Sequence, residues 1–285
     1  MILDGHVHIR TEEVEGAKLA GRFREAGVDG AALISLPPAA RKYRIRWSFK
    51  KRLDQLMAWC ATGQHLYPLF WIDPTEADAP RQVAAAVARG VSGFKVICSV
   101  HEPGHPRALV TYREIAAAKK PILFHSGILW DGQPSSPHNR PAAFEALLEV
   151  PYLRFALAHI SWPWCDECVA VYGKFLNTLS IEEQPWQEMF VDITPGTPPL
   201  YREEALRKLF CVGYDVEQNV FFGSDSTAHD YNVKWVREWL DRDEKIMKAL
   251  GVSIATIARV RGGNLRRFVG LDTSDHRRKA VEPGM

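Results

Sequence analysis

No apolar run in the 285 residues reaches the roughly 18 needed to cross a bilayer. The first residues carry no basic start followed by an apolar stretch, so no secretory signal is read, and a cytoplasmic location is the expectation by default. Excess charge is also lacking: Lys+Arg 36 against Asp+Glu 34 leaves a net +2, too little to argue for nucleic acid or a membrane surface as partner. Cysteine is sparse and odd in number, with Cys60, Cys98, Cys165, Cys168 and Cys211, which argues against a disulfide framework. Cys165 and Cys168 form a C-x-x-C, but no second such pair completes a zinc site. They read as two semi-buried thiols on a helix. No G-x-G-x-x-G follows the first apolar run, so a dinucleotide fold has no support. Internal repeats and low-complexity segments are missing too.

What is present is an ordinary globular composition, 46% hydrophobic and 25% charged, with nine tryptophans and eight tyrosines, enough to line a pocket as well as a core. Short apolar runs alternate with amphipathic stretches. The runs are Ile2–His8, Gly30–Leu36, Leu66–Ile72, Gly93–Cys98, Pro121–His125, Arg154–His159, Met189–Ile193 and Asn219–Gly223. The predicted helices are Glu12–Ala26, Phe49–Thr62, Asp78–Arg89, Tyr112–Ala118, Ala142–Glu149, Asp166–Leu176, Arg202–Cys211 and Asn232–Leu250. Strict alternation predicts parallel strands joined by helical crossovers. Near-continuous apolar strands fit a sheet covered on both faces. Eight units favour closure into a single-domain (β/α)8 TIM barrel over residues 1–271, with a polar, basic tail at 272–285 expected to be disordered.

The polar residues then matter by position. His6 and His8 end the first strand, Lys95 lies on the fourth, His125 and His159 end the fifth and sixth, and Asp225 follows the eighth. In a barrel these ends meet at one rim, where active sites are built. A lone strand-end histidine is usually structural. Residues two apart on a strand face the same way, so His6 and His8 can offer two imidazoles to one point. Two imidazoles and a carboxylate suit zinc, manganese or iron. Asp4 reads instead as an orienting residue.

These pieces resemble the amidohydrolase superfamily, and more narrowly its amidohydrolase-2 branch, which includes aminocarboxymuconate-semialdehyde decarboxylase. The matching strings are D-G-H-V-H (Asp4–His8), G-F-K (Gly93–Lys95), F-H-S-G (Phe124–Gly127), A-H-I-S-W (Ala158–Trp162), F-G-S-D-S (Phe222–Ser226) and G-G-N-L-R-R-F (Gly262–Phe268). The resemblance implies His6, His8, His125 and Asp225 as metal ligands. It also implies Asp225 as the group that takes the proton from water, and His159 as a catalytic residue beside the metal. It implies Lys95, and His159 as well, as ligands if two ions bind, with Lys95 carboxylated. The histidine-proline that follows this lysine in many single-metal relatives is missing here. One divalent ion, zinc first and manganese or iron next, is favoured over two.

The expected chemistry is hydrolysis of a C–N or C–O bond in a small, aromatic or carboxylate-bearing substrate. Asp225 accepts a proton and His159 stabilises the oxyanion. Non-oxidative decarboxylation of an unsaturated or aromatic acid is the alternative, and a catalytically inactive metal-binding barrel the second. Candidate substrate contacts are Arg44 and Arg46 as a carboxylate clamp, His101, Trp130 and Trp162. The expected partner is a small-molecule substrate, with no nucleic acid and no membrane; homodimer formation is left open.

Overall fold

The computed structural model describes residues 1–38, 46–178 and 186–271. The tail expected at 272–285 and Arg44 therefore lie outside the described residues. The strands are β1 (Leu3–His8), β2 (Gly30–Ile34), β3 (Leu66–Trp71), β4 (Gly93–Val96), β5 (Ile122–Phe124), β6 (Arg154–Leu157), β7 (Glu188–Asp192), β8 (Val220–Phe221) and β9 (Ser226–Thr227). All pair in parallel in the order β8-β7-β6-β5-β4-β3-β2-β1-β9.

Nine strands replace the expected eight because the last one is broken. β8 pairs with β7, whereas β9 pairs with β1 through Val7↔Ser226 and His8↔Thr227. The break is a turn in which Asp225 takes φ 58°, and the Gly5 amide donates to the Phe222 carbonyl at 2.9 Å across it. The sheet thus closes on itself, and the eightfold α/β barrel expected from the sequence is the fold found.

Helices α1 (Gly16–Ala26), α2 (Phe49–Cys60), α3 (Ala79–Ala88), α4 (Pro106–Ala117), α5 (Cys165–Thr178), α6 (Arg202–Cys211) and α7 (Val233–Ala249) supply the crossovers, with short α8 (Ile254–Ala258) and α9 (Asn264–Phe268) after them. Local chemistry sets their ends. Ser48 and Asn232 accept N-terminal amides of α2 and α7, and α1 stops at Gly27 in the left-handed region. Pro106 starts α4 behind a His105 cap, six residues before the expected Tyr112. The expected helix at Ala142–Glu149 is a 3-10 stretch over Pro141–Glu149. No helix among the described residues is long and apolar enough to cross a membrane.

Alternation along the strands divides the core. Leu33, Phe70, Phe94 and Val191 face the helices, while Ile34, Leu69, Trp71, Leu123 and Phe190 fill the barrel. Leu265 and Phe268 of α9 plug its N-terminal end, Phe268 packing on Phe190 and Phe221 at 5.3 and 5.1 Å between ring centres. The same alternation turns Lys95, between outward Phe94 and Val96, into the barrel, so the polar layer lies above an apolar floor at the C-terminal rim.

Candidate active site

The rim holds a cavity of about 650 Å³ lined by His6, His8, Lys95, His125, His159 and Asp225, with Trp71, Ile97, Leu129 and Trp130 as apolar wall and Arg10 at the mouth. Six residues singled out from four strand ends and one strand interior therefore do meet. Three of them converge closely: His6 Nε2 lies 3.2 Å from His8 Nε2 and 3.7 Å from Asp225 Oδ1, and His8 Nε2 lies 3.3 Å from Asp225 Oδ1. A tetrahedral ion with bonds of about 2.0–2.1 Å sets its ligands about 3.3–3.4 Å apart, so this triangle fits one divalent cation. His125 and His159 face the same cavity but stand outside the triangle. Their rings meet at 4.9 Å, His159 lies 5.3 Å from the His6 ring, and His125 Nε2 is 3.3 Å from the Ile128 carbonyl.

Electrostatics favours the ligand forms. Burial pushes the pKa of His6 well below its ordinary value, and the Lys95 cation adds to this. Burial lowers His8 and His159 in the same direction, and lowers His125 strongly together with His159. These imidazoles are neutral at pH 7, with lone pairs to offer. Burial raises the Asp225 carboxyl, but the His8 hydrogen bond and the surrounding His6, His8 and His159 rings outweigh it and hold it well below the usual carboxylate range.

The backbone aims these groups. His159, Ile160 and Ser161 take φ 62°, 44° and 55°, three successive left-handed residues without a glycine. This conformation is costly for β-branched Ile160, and it turns His159 into the cavity. Ser126 Oγ donates to Ser161 Oγ at 2.8 Å, pinning that turn to the end of β5. Asp4 performs the orienting task expected of it. Its Oδ1 accepts the His6 and Ser224 amides at 3.1 and 2.9 Å, and its Oδ2 accepts the Tyr231 hydroxyl at 2.8 Å. Burial raises its pKa to about 6.

Two residues escaped the sequence reading. Asp192, at the end of β7, is hydrogen-bonded through Oδ2 to His6 Nδ1 at 2.7 Å while fully buried. Arg10, the next inward position after His6 and His8, reaches the cavity mouth. Ile9 extends the β1–β2 ladder by donating to the Ile34 carbonyl at 2.8 Å, so the alternation carries on past His8. A continued H-x-H-x-R alternation was the available signal for Arg10.

Of the expected substrate contacts, Trp130 lines the cavity with 89% of its surface exposed. Three others are not among the residues that line the cavity. His101 is buried in the β4–α4 connection, its Nδ1 3.0 Å from the Glu102 carbonyl. Trp162 stacks on Tyr201 at 5.1 Å. Arg46 is exposed just before α2, away from the cavity lining. Cys165 and Cys168 are both buried on the first turn of α5, and burial raises their pKa to about 11 and 12, which suits packing rather than redox or metal work.

Fold and site together define an α/β barrel whose C-terminal rim groups two histidines and one carboxylate that could hold a cation. A family model described as Amidohydrolase matches residues 49–271, and the chain belongs to that family. The matched span begins after β1, so the place of His6 and His8 in the centre rests on the geometry above. A comparison with curated protein sequences gave no match. Solved structures of the same fold include dihydroorotase from Campylobacter jejuni, at TM-score 0.59 and 14% identity, covering 95% of this chain and 83% of that one. An amidohydrolase 2 from Bifidobacterium longum subsp. infantis gives 0.59 and 14%, covering 95% and 99%. A beta-aspartyl dipeptidase from Fervidobacterium islandicum AW-1 gives 0.57 and 16%, covering 94% and 74%. At these identities the likeness carries the fold; membership of the amidohydrolase family makes the chain a metal-dependent hydrolase in general terms.

Proposed function

We propose that the protein hydrolyses a C–N or C–O bond in a small substrate that carries an anionic group, using one divalent cation, zinc first, held by His6, His8 and Asp225. The observation that carries this reading is the 3.2–3.7 Å triangle of His6 Nε2, His8 Nε2 and Asp225 Oδ1 inside a cavity at the barrel's C-terminal rim. A cation on that donor set supplies Lewis acidity, bringing the pKa of water towards neutrality and polarising a substrate oxygen.

The chain's own residues account for the rest. Asp225 is ionised at neutral pH and partly open to the cavity, so it can accept a proton from water and hand it to the leaving group. His159, neutral and buried beside the triangle, offers an N–H to an oxygen that gains negative charge. Trp71, Ile97 and Leu129 keep the pocket apolar around the reacting bond. Arg10 is an exposed cation at the mouth with no ion-pair partner among the described residues, placed to take a substrate carboxylate. It takes the role first assigned to Arg44 and Arg46.

The test has two parts. Purified protein is loaded with Zn²⁺, Mn²⁺ or Fe²⁺ and analysed for bound metal, with about one ion per chain expected. Carboxylate-bearing amides, cyclic imides and lactones are then screened with wild type and Asp225→Asn. The variant keeps its fold and loses turnover by about 10³-fold or more, the scale of a lost proton-transfer group. A wild-type chain that takes up no ion sinks the reading. Release of CO2 from an unsaturated or aromatic acid would assign lyase chemistry instead.

A further inference from the structure

Asp192 enters none of the steps above, yet it is fully buried and touches the first of the three converging residues. We propose that Asp192 is a positioning residue that locks His6 into the tautomer with its proton on Nδ1, and that Thr194 fixes which oxygen of Asp192 does so. This rests on the metal-centre reading of His6, His8 and Asp225.

Asp192 Oδ1 already takes the Thr194 amide and hydroxyl, and as a carboxylate Asp192 only accepts at Oδ2, so the 2.7 Å contact with His6 Nδ1 puts a proton on Nδ1. His6 Nε2 then carries its lone pair towards His8 Nε2 and Asp225 Oδ1. In the other tautomer an N–H would point into the triangle and no cation could be held there. The partner of a ligating imidazole thus decides which nitrogen is the ligand.

The second half of the device is Thr194. Its backbone amide donates to Asp192 Oδ1 at 2.8 Å, and its hydroxyl donates to the same oxygen. A hydroxyl can reverse its role, but a backbone N–H cannot. This asymmetry makes an unusual demand on substitutions. In Asp192→Asn the amide oxygen must stay with the Thr194 N–H, because the alternative faces two donors together in a buried place. The amide nitrogen then occupies the Oδ2 position and donates to His6 Nδ1. The imidazole proton is driven to Nε2, the wrong side. The nearly isosteric Asn is therefore more damaging to cation binding than Ala, which leaves His6 free to choose its tautomer. A role in packing alone gives the reverse order.

The experiment uses the full chain with ¹⁵N-labelled histidine. In metal-free wild type, ¹⁵N NMR of His6 shows protonated Nδ1 and unprotonated Nε2; in Asp192→Asn the pattern is exchanged. Zn²⁺ affinity, measured by competition with a chromophoric chelator, falls about 10–100-fold in Asp192→Ala and further in Asp192→Asn. A proton on Nε2 in wild type, or an Asn variant that binds Zn²⁺ as well as or better than the Ala variant, overturns the proposal. The wild-type tautomer needs no variant, so misfolding of either substitution leaves a decisive measurement. A wild type with Nδ1 protonated that takes up no Zn²⁺ upholds the lock and sinks the metal-centre reading.

Discussion

Gly223 stands where the broken eighth strand passes behind His6. A Cβ there would lie 2.7 Å from His6 Cβ and 3.2 Å from Asp192 Oδ1, and closer still to the Thr194 hydroxyl. All three are buried and belong to the same hydrogen-bonded chain, so none can step aside. Gly223→Ala is expected to cost about 1–3 kcal/mol as an overpacked core position, and to weaken Zn²⁺ binding in parallel by separating His6 from Asp192. A urea melt and a chelator competition read the two effects. A variant that loses stability but binds Zn²⁺ unchanged would show that the glycine serves packing alone. At this scale the sequence was legible where chemistry repeats locally. His6 and His8 are two residues apart, and strand periodicity alone puts them together. Asp192 was opaque because its partner lies 186 residues away, and an aspartate at a strand end has no local mark of what it will meet. Arg46 lies outside the cavity lining, and a run of basic residues states its charge but not its direction.

At the scale of elements, the polar layer needs a stiff surround, and the end of β7 receives one from a buried ion pair. Arg202 opens α6 and reaches Asp243 of α7, with Nε to Oδ1 at 2.8 Å and Nη2 to Oδ2 at 2.6 Å. Its Nη2 also donates to the Ile193 carbonyl, one residue past Asp192, and the guanidinium lies 5.0 Å from the Trp239 ring centre. Two helices and the strand end bearing Asp192 are thereby tied at one point. Removing one partner strands a desolvated charge, so Asp243→Ala should lower unfolding free energy by about 3–5 kcal/mol, while the double change Arg202→Met with Asp243→Leu should recover most of it. Chemical denaturation of both variants tests this; equal losses would mean that the pair acts by shape rather than by charge. The elements themselves were largely readable. Strands buried on both faces, such as Leu66–Trp71, leave continuous apolar runs, and helices against them leave one-sided patterns. What hid was set by single backbone angles. The left-handed Asp225 cuts the last strand in two, and the His105–Pro106 start of α4 sits in a Gly/Pro-rich stretch that reads as loop.

For the whole molecule, the cost of gathering four imidazoles in one buried layer appears as a dependence of folding on pH. His6, His8, His125 and His159 all have folded-state pKa values below 6.5, with burial as the first cause. Above about pH 6.5 both folded and unfolded chains hold them neutral, and their contribution to stability is fully present. As pH falls below that value the unfolded chain takes up protons that the folded chain refuses. Stability then drops by up to about 1.4 kcal/mol per pH unit for each imidazole. Asp4 works in the opposite sense, since its pKa is raised to about 6, so the folded chain gains from its protonation as pH falls from there towards 3.8. One carboxyl offsets at most one of the four imidazoles, so a net loss is expected to set in near pH 6.5 and to continue below it. Chelator-treated protein melted in urea at pH 7.5, 6.5 and 6.0 should show the midpoint falling across the last interval; a flat midpoint would mean that the imidazoles protonate in place. Zn²⁺ added back should raise the midpoint at pH 7.5, and by less at pH 6.0, because cation and proton compete for the same lone pairs on His6 and His8. A zinc effect of equal size at both pH values would place the ion elsewhere on the molecule.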